Sequence, residues 1–222
     1  MVTRIKTSQR IVNSSLELFN QLGERSVTTN HIAAHMEISP GNLYYHFPNK
    51  QAIISVLFSE YETLVLSFLR PLEGRAFNVD DKRFYLQKLL DAMWRYRFLY
   101  RDTEHFLHSD NELAARYRQF SRQCLVQAQM IYAGFVDAGI LRMTPLQIES
   151  LTLNAWIILT SWVSFLCTTR ESGEQLSERA IKRGVYQLLV LESGFVTEEA
   201  REAVDILINE YYVPLEDALH DH

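Results

Sequence analysis

The chain has 222 residues, 47% of them hydrophobic, and a formal charge of −5. Its length and apolar share give an ordinary globular composition with enough material for a sizeable core, in one large or two small domains. The net negative charge taken alone argues against nucleic acid as a partner, but its placement reverses that: residues 1–50 hold five Lys or Arg against three Asp or Glu, +2, and the remainder seventeen against twenty-four, −7.

In chain order, Arg4, Lys6 and Arg10 precede a helix whose Ile11, Ser15, Leu18, Phe19 and Leu22 share one face, expected to pack on Val27, Ile32, Leu43 and Phe47. Gly23 ends that helix in the usual C-terminal manner. Thr28 is a good N-cap for a second helix carrying Ile32, Ala33 and Met36, which must stop near Glu37. Ser39 followed by Pro40 restarts the chain, serine as cap and proline at the first helical position, where no amide hydrogen is needed. The third helix, Pro40 to about Phe47, carries Asn42, Tyr44, Tyr45 and His46, which it does not need for its own burial. Two short helices joined this way match a helix-turn-helix, whose second helix enters the DNA major groove.

The order TTNHIAAHMEIS then PGNLYYHFPNKQAI, with IVNSSLELFNQLG ahead of it, resembles the N-terminal domain of the TetR family of bacterial transcriptional regulators. The resemblance covers roughly the first quarter of the chain, with many positions agreeing in order and spacing. It implies a ligand-responsive regulator, a repressor in the first instance, binding a palindromic DNA operator as a homodimer and released by a small-molecule effector. One departure is Glu37, where such turns usually carry glycine; a positive φ there costs on the order of 1 kcal/mol.

Within this head, Thr28 and Thr29 at a helix start, with Tyr45, His46 and Lys50, suit phosphate oxygens. Asn42 suits an adenine edge, Gly41 leaves room for close approach, and Tyr44 suits stacking or a thymine methyl. Asn30 and Pro40, with Ser39 between the two helices, join the candidates because matching family positions often touch the operator. The competing reading makes Tyr44, Tyr45 and His46 packing residues of a helical hairpin. With no arginine on the third helix, direct guanine readout is sparse, so A·T positions and DNA shape are expected to carry specificity.

Beyond the head, Asn49 caps a helix to about Leu69 with Ile53, Val56, Leu57, Tyr61, Leu64 and Phe68 as its stripe, stopped by Pro71. By resemblance this helix transmits signal between head and body. Further helices are expected over Lys82–Arg101, Thr103–Ser109, Asn111–Asp137, from Pro145 through an uncharged run at Ser150–Thr169, over Ser177–Ser193 and over Thr197–Tyr212. Nothing reads as a strand, so the fold class is all-α: a three-helix DNA-binding domain over residues 1–50 and a helical-bundle effector-binding and dimerisation domain over 51–222, about nine to ten helices altogether.

The uncharged run is long enough to cross a bilayer, but Thr152, Asn154, Thr160, Ser161 and Ser164 lower its hydropathy and no Lys/Arg cluster flanks it, so no membrane partner is expected. Instead Leu151, Ala155, Ile158, Trp162 and Phe165 form one stripe, and Ile181, Val185, Leu188 and Glu192 another, with Gly184 permitting close crossing. Paired across a two-fold axis these make a four-helix dimer seam; the alternative is that both stripes are internal core.

For the effector implied by the resemblance, the segment MWRYRFLYRDTEHFLH places Trp94, Arg97, Arg101 and His105 on one helical face, suiting a carboxylate or phosphate. The alternative pairs both arginines with Asp102, Glu104 or helix ends. Trp94, Phe106, Tyr117, Phe120, Asn154, Trp156 and Thr160 are candidate pocket walls. His105 and His108 have HxxH spacing without a third ligand, and no cofactor is expected. Cys124 and Cys167 lie far apart with no CxxC partner and read as reduced and structural. The N-terminal MVTRIKTSQR has no apolar run behind it and reads as cytoplasmic; His220 and His222 fall in a frayed C-terminus. No nucleophile elbow, phosphate loop or zincin pattern appears, so an enzyme is not expected; a body serving only docking or dimerisation is the rival to the effector reading.

Overall fold

The computed structural model describes residues 6–170 and 176–220; Arg4 and His222 lie outside them. The described residues form twelve α-helices: α1 (Thr7–Leu22), α2 (Thr29–His35), α3 (Pro40–His46), α4 (Lys50–Phe68), α5 (Val79–Arg95), α6 (Arg97–Arg101), α7 (Thr103–Ser109), α8 (Asn111–Asp137), α9 (Pro145–Thr169), α10 (Glu178–Glu192), α11 (Glu198–Tyr211) and α12 (Leu215–Leu219). Among them β structure is limited to one antiparallel bridge between Leu141 and Val196. The fold is all-α.

Local chemistry sets most helix starts. Thr28, Ser39, Asn49, Asn78, Asp110, Thr144 and Ser177 each accept a backbone N–H from the first turn of the helix that follows. Pro40 and Pro145 open α3 and α9. Asp81 closes a capping box with Asn78 and pairs with Arg75, whose guanidinium holds its carboxyl below the usual range.

In the head, Ile11, Phe19, Val27, Ile32 and Leu43 are fully buried, as their spacing predicts. Leu22, the last residue of α1, is the exception at 56% exposed. The head core continues through Ile53, Leu57 and Tyr61 of α4 into the body.

The expected helix over Lys82–Arg101 is interrupted at Tyr96. Asn20 of α1 reaches across, its Nδ2 donating to the Arg95 carbonyl (2.8 Å) and its Oδ1 accepting the Phe98 N–H (3.1 Å). These bonds replace two helical ones and separate α6 from α5. With α12, the break takes the helix count above nine to ten.

α9 and α10 pack on each other inside the protomer. Gly184 faces Trp162, and a Cβ there would land on the indole ring, whose Nε1 donates to the Ala180 carbonyl. Gly184→Ala should therefore destabilise the chain by about 1–3 kcal/mol, overpacking outweighing alanine's better helix propensity, as read by urea unfolding.

Candidate DNA-reading head and effector cavity

The turn between α2 and α3 passes through Glu37 at φ 55°, the left-handed region that favours glycine. Ile38 N–H donates to the Ala33 carbonyl (3.0 Å), closing the end of α2. Glu37→Gly should raise stability by up to about 1 kcal/mol without changing the head's structure, a gain visible in thermal melting.

α3 buries Leu43 and turns its other side outward: Gly41, Asn42, Tyr44 and Tyr45 are exposed, Tyr45 85% so, and His46 is half-buried against the Tyr45 ring. An 85% exposed ring has no packing role in the protomer, which removes the hairpin reading for Tyr45. Thr28, Asn30, Ser39 and Pro40 are exposed and Thr29 is half-buried. The Thr29 and Tyr44 hydroxyls share a hydrogen bond (2.9 Å), tying the start of α2 to the outer face of α3.

Lys50 departs from the expectation of a phosphate contact. Its Nζ pairs with Glu24 Oε1 (2.6 Å) and donates to the Glu24 and Val27 carbonyls (3.0 Å each), which uses all three donors. The cause is the burial of Glu24, whose carboxylate needs a cation. Lys50 thus pins the start of α4 to the turn before α2. Around it, Glu24 Oε2 lies 3.8 Å from His105 Nε2, and Arg25 pairs with Asp102 (3.1 Å), so the α1–α2 turn is fastened to α6 and α7.

In the body, a partly open cavity of about 120 Å³ lies between α4, α5, α8, α9 and α10. Tyr61 and Val65 of α4, with Leu69 just past its end, form one wall; Phe120, Trp156 and Thr160 belong to another. Phe106 and Tyr117 line a smaller adjoining space that shares Phe120, Trp156 and Thr160. Five of the expected wall residues therefore come together.

Trp94, Arg97, Arg101, His105 and Asn154 line neither space. The breaks at Tyr96 and Asp102 end the single helical face assumed for the first four. Arg97 folds back on Trp94, its guanidinium 4.0 Å from the ring centre and donating to the Trp94 carbonyl. Burial and the neighbouring Arg101 lower its pKa. Arg101 and His105 border a separate open cleft, and Asn154 is exposed on α9. Among the described residues no three His, Cys, Asp or Glu cluster to hold a metal.

The cavity's polar groups were not legible in the sequence. Lys82 and Glu192, 110 residues apart, form a buried ion pair (2.7 Å) with Lys82 Nζ 4.4 Å from the Phe135 ring centre. Tyr61 and Tyr100 share a hydroxyl hydrogen bond (2.6 Å), and burial pushes both phenols well up. Burial likewise pushes the Cys124 thiol to about 12, so it stays protonated and unreactive.

Most residues of the expected dimer seam lie inside the protomer. Ile181, Gly184, Val185 and Leu188 are buried in the protomer's own core, with Leu151 and Ala155; Ile158 and Trp162 are half-buried in the same cluster. α10 packs on α5, α9, α11 and α12 of its own protomer. Phe165 alone of the named residues stays exposed (42%), beside Leu153 (50%) and Ile157 (51%) on the outer face of α9. α9 is long and apolar enough to cross a membrane by length and composition, but it packs against α6, α8 and α10.

Comparison with known proteins accounts for this arrangement. Residues 11–57 match the model of bacterial regulatory proteins of the tetR family, and residues 60–204 the model described as TetR, bacterial transcriptional repressor. A TetR-family transcriptional regulator from Marinobacter aquaeolei VT8, solved by crystallography, is 45% identical over 94% of this chain and all of its own, with a TM-score of 0.86. The Staphylococcus aureus (strain Newman) negative regulator of the biofilm operon icaADBC, IcaR, is 25% identical over 81% of this chain and 95% of its own. The Escherichia coli K12 regulator UidR is 36% identical over 72 residues, 32% of this chain and 37% of its own length. With both its head and most of its body matched, the chain belongs to the TetR family of bacterial transcriptional regulators.

Proposed function

We propose that the chain is a cytoplasmic repressor that grips a palindromic operator as a homodimer and lets go when a small molecule fills the body cavity. The observation that carries this reading is the α4 wall of the cavity: the helix supplying Tyr61 and Val65 begins at Lys50, four residues after the end of α3. A ligand that moves α4 therefore moves the recognition helix. The apolar cavity also favours an effector over a body that only docks or dimerises, which has no use for one.

On DNA, Asn42 is placed to read adenine, with Gly41, Tyr44 and Tyr45 beside it, while Thr28, Thr29 and His46 meet phosphates and Asn30, Ser39 and Pro40 flank them. The outer face of α9, Leu153, Ile157 and Phe165, is the surface that a second copy would cover; it holds apolar and uncharged side chains.

Selection from a randomised duplex pool with the purified chain tests the reading. An A·T-rich inverted repeat should emerge, and Asn42→Ala should weaken binding to it about tenfold or more. A pool without enrichment, or one dominated by guanine contacts under α3, contradicts it.

A further inference from the structure

We infer that the body cavity takes an uncharged, largely apolar ligand of about ten non-hydrogen atoms bearing one oxygen that accepts a hydrogen bond from Thr152; this rests on the effector reading above. The size follows from the space, about 120 Å³, which admits about ten water-sized groups. The apolar character follows from walls such as Val65, Leu86, Leu89, Ile131 and Leu159.

Neutrality follows from how the cavity's charges are used. Lys82 and Glu192 are the charged residues in the lining, and each is closed on the other at 2.7 Å with side chains only 5% and 3% exposed. Tyr132, also in the wall, lies beside Glu192. An anionic ligand would have to take Lys82 from Glu192, and a cationic one Glu192 from Lys82, leaving a buried charge unpaired in either case. A neutral ligand leaves the pair intact.

The acceptor follows from Thr152. It is 1% exposed, it lines the cavity from the middle of α9, and its Oγ1 has no protein hydrogen-bond partner. The other wall hydroxyls differ: Tyr61 and Tyr100 bond each other, and Thr160 donates to the Trp156 carbonyl at 2.7 Å. A buried hydroxyl left unbonded is costly, so a ligand carbonyl, ester or ether oxygen placed at Thr152 recovers a hydrogen bond that an alkane cannot.

Calorimetric titration of the full chain with four probes built on one eight-carbon chain, methyl octanoate, octanoate, octylammonium and octane, tests the inference. Methyl octanoate should bind about tenfold or more tightly than either ion and measurably better than octane. Thr152→Val should erase the ester's margin over octane, and Thr152→Ser, which keeps the hydroxyl, should retain it. An ion binding as tightly as the ester, a margin that survives Thr152→Val, or no binding by any probe at millimolar concentration overturns the inference. Operator release measured alongside separates it from the effector reading. An ester that binds without releasing DNA defeats the effector reading alone, and an ion that binds and releases defeats the ligand class alone.

Discussion

Lys82→Met should destabilise the protein by about 3–5 kcal/mol in denaturant unfolding, because it strands the Glu192 carboxylate in an apolar wall. The double change Lys82→Met with Glu192→Leu should return to within about 2 kcal/mol of the parent, since no unpaired charge remains and the volume is kept. A double variant as unstable as the single one would mean that the pair is held for a reason other than mutual neutralisation.

Leu153→Glu with Ile157→Glu should break the proposed dimer and lower operator affinity by about 10²–10⁴-fold. Two heads on one body hold the second head at high effective concentration beside its half-site, and a separated protomer loses that advantage. Both side chains are half exposed in the protomer, so the substitutions place charge in water and should leave its folding intact. Sedimentation would give the oligomeric state, circular dichroism the fold, and DNA titration the affinity. A double variant that stays dimeric moves the interface elsewhere on the surface.

What the sequence revealed follows the range of the forces involved. Caps act within one turn, so Thr28, Ser39 with Pro40, and Asn49 located the head helices, and the positive φ at Glu37 was foreseeable from its place in the turn. The break at Tyr96 was not foreseeable, because Asn20, more than seventy positions away, supplies the bonds that make it. Lys82 and Glu192 each look like ordinary surface charge in their own helices, and only the tertiary fold buries them together. α9 presented a different difficulty. It is apolar nearly all round, so its pattern does not say which side meets the core, and the stripe chosen from it was mostly the inward one. Lys50 shows the same limit on a single residue: a lysine beside a recognition helix suits a phosphate, but the buried Glu24 takes it.

The claim on which the rest depends is that two heads, held at a fixed distance, read one operator together. Inserting about five base pairs between the half-sites of the selected operator rotates them by half a helical turn, whereas about ten restores their facing. The chain should lose binding by about a hundredfold or more at the first insertion and regain part of it at the second. Affinity that is indifferent to both insertions would contradict the account.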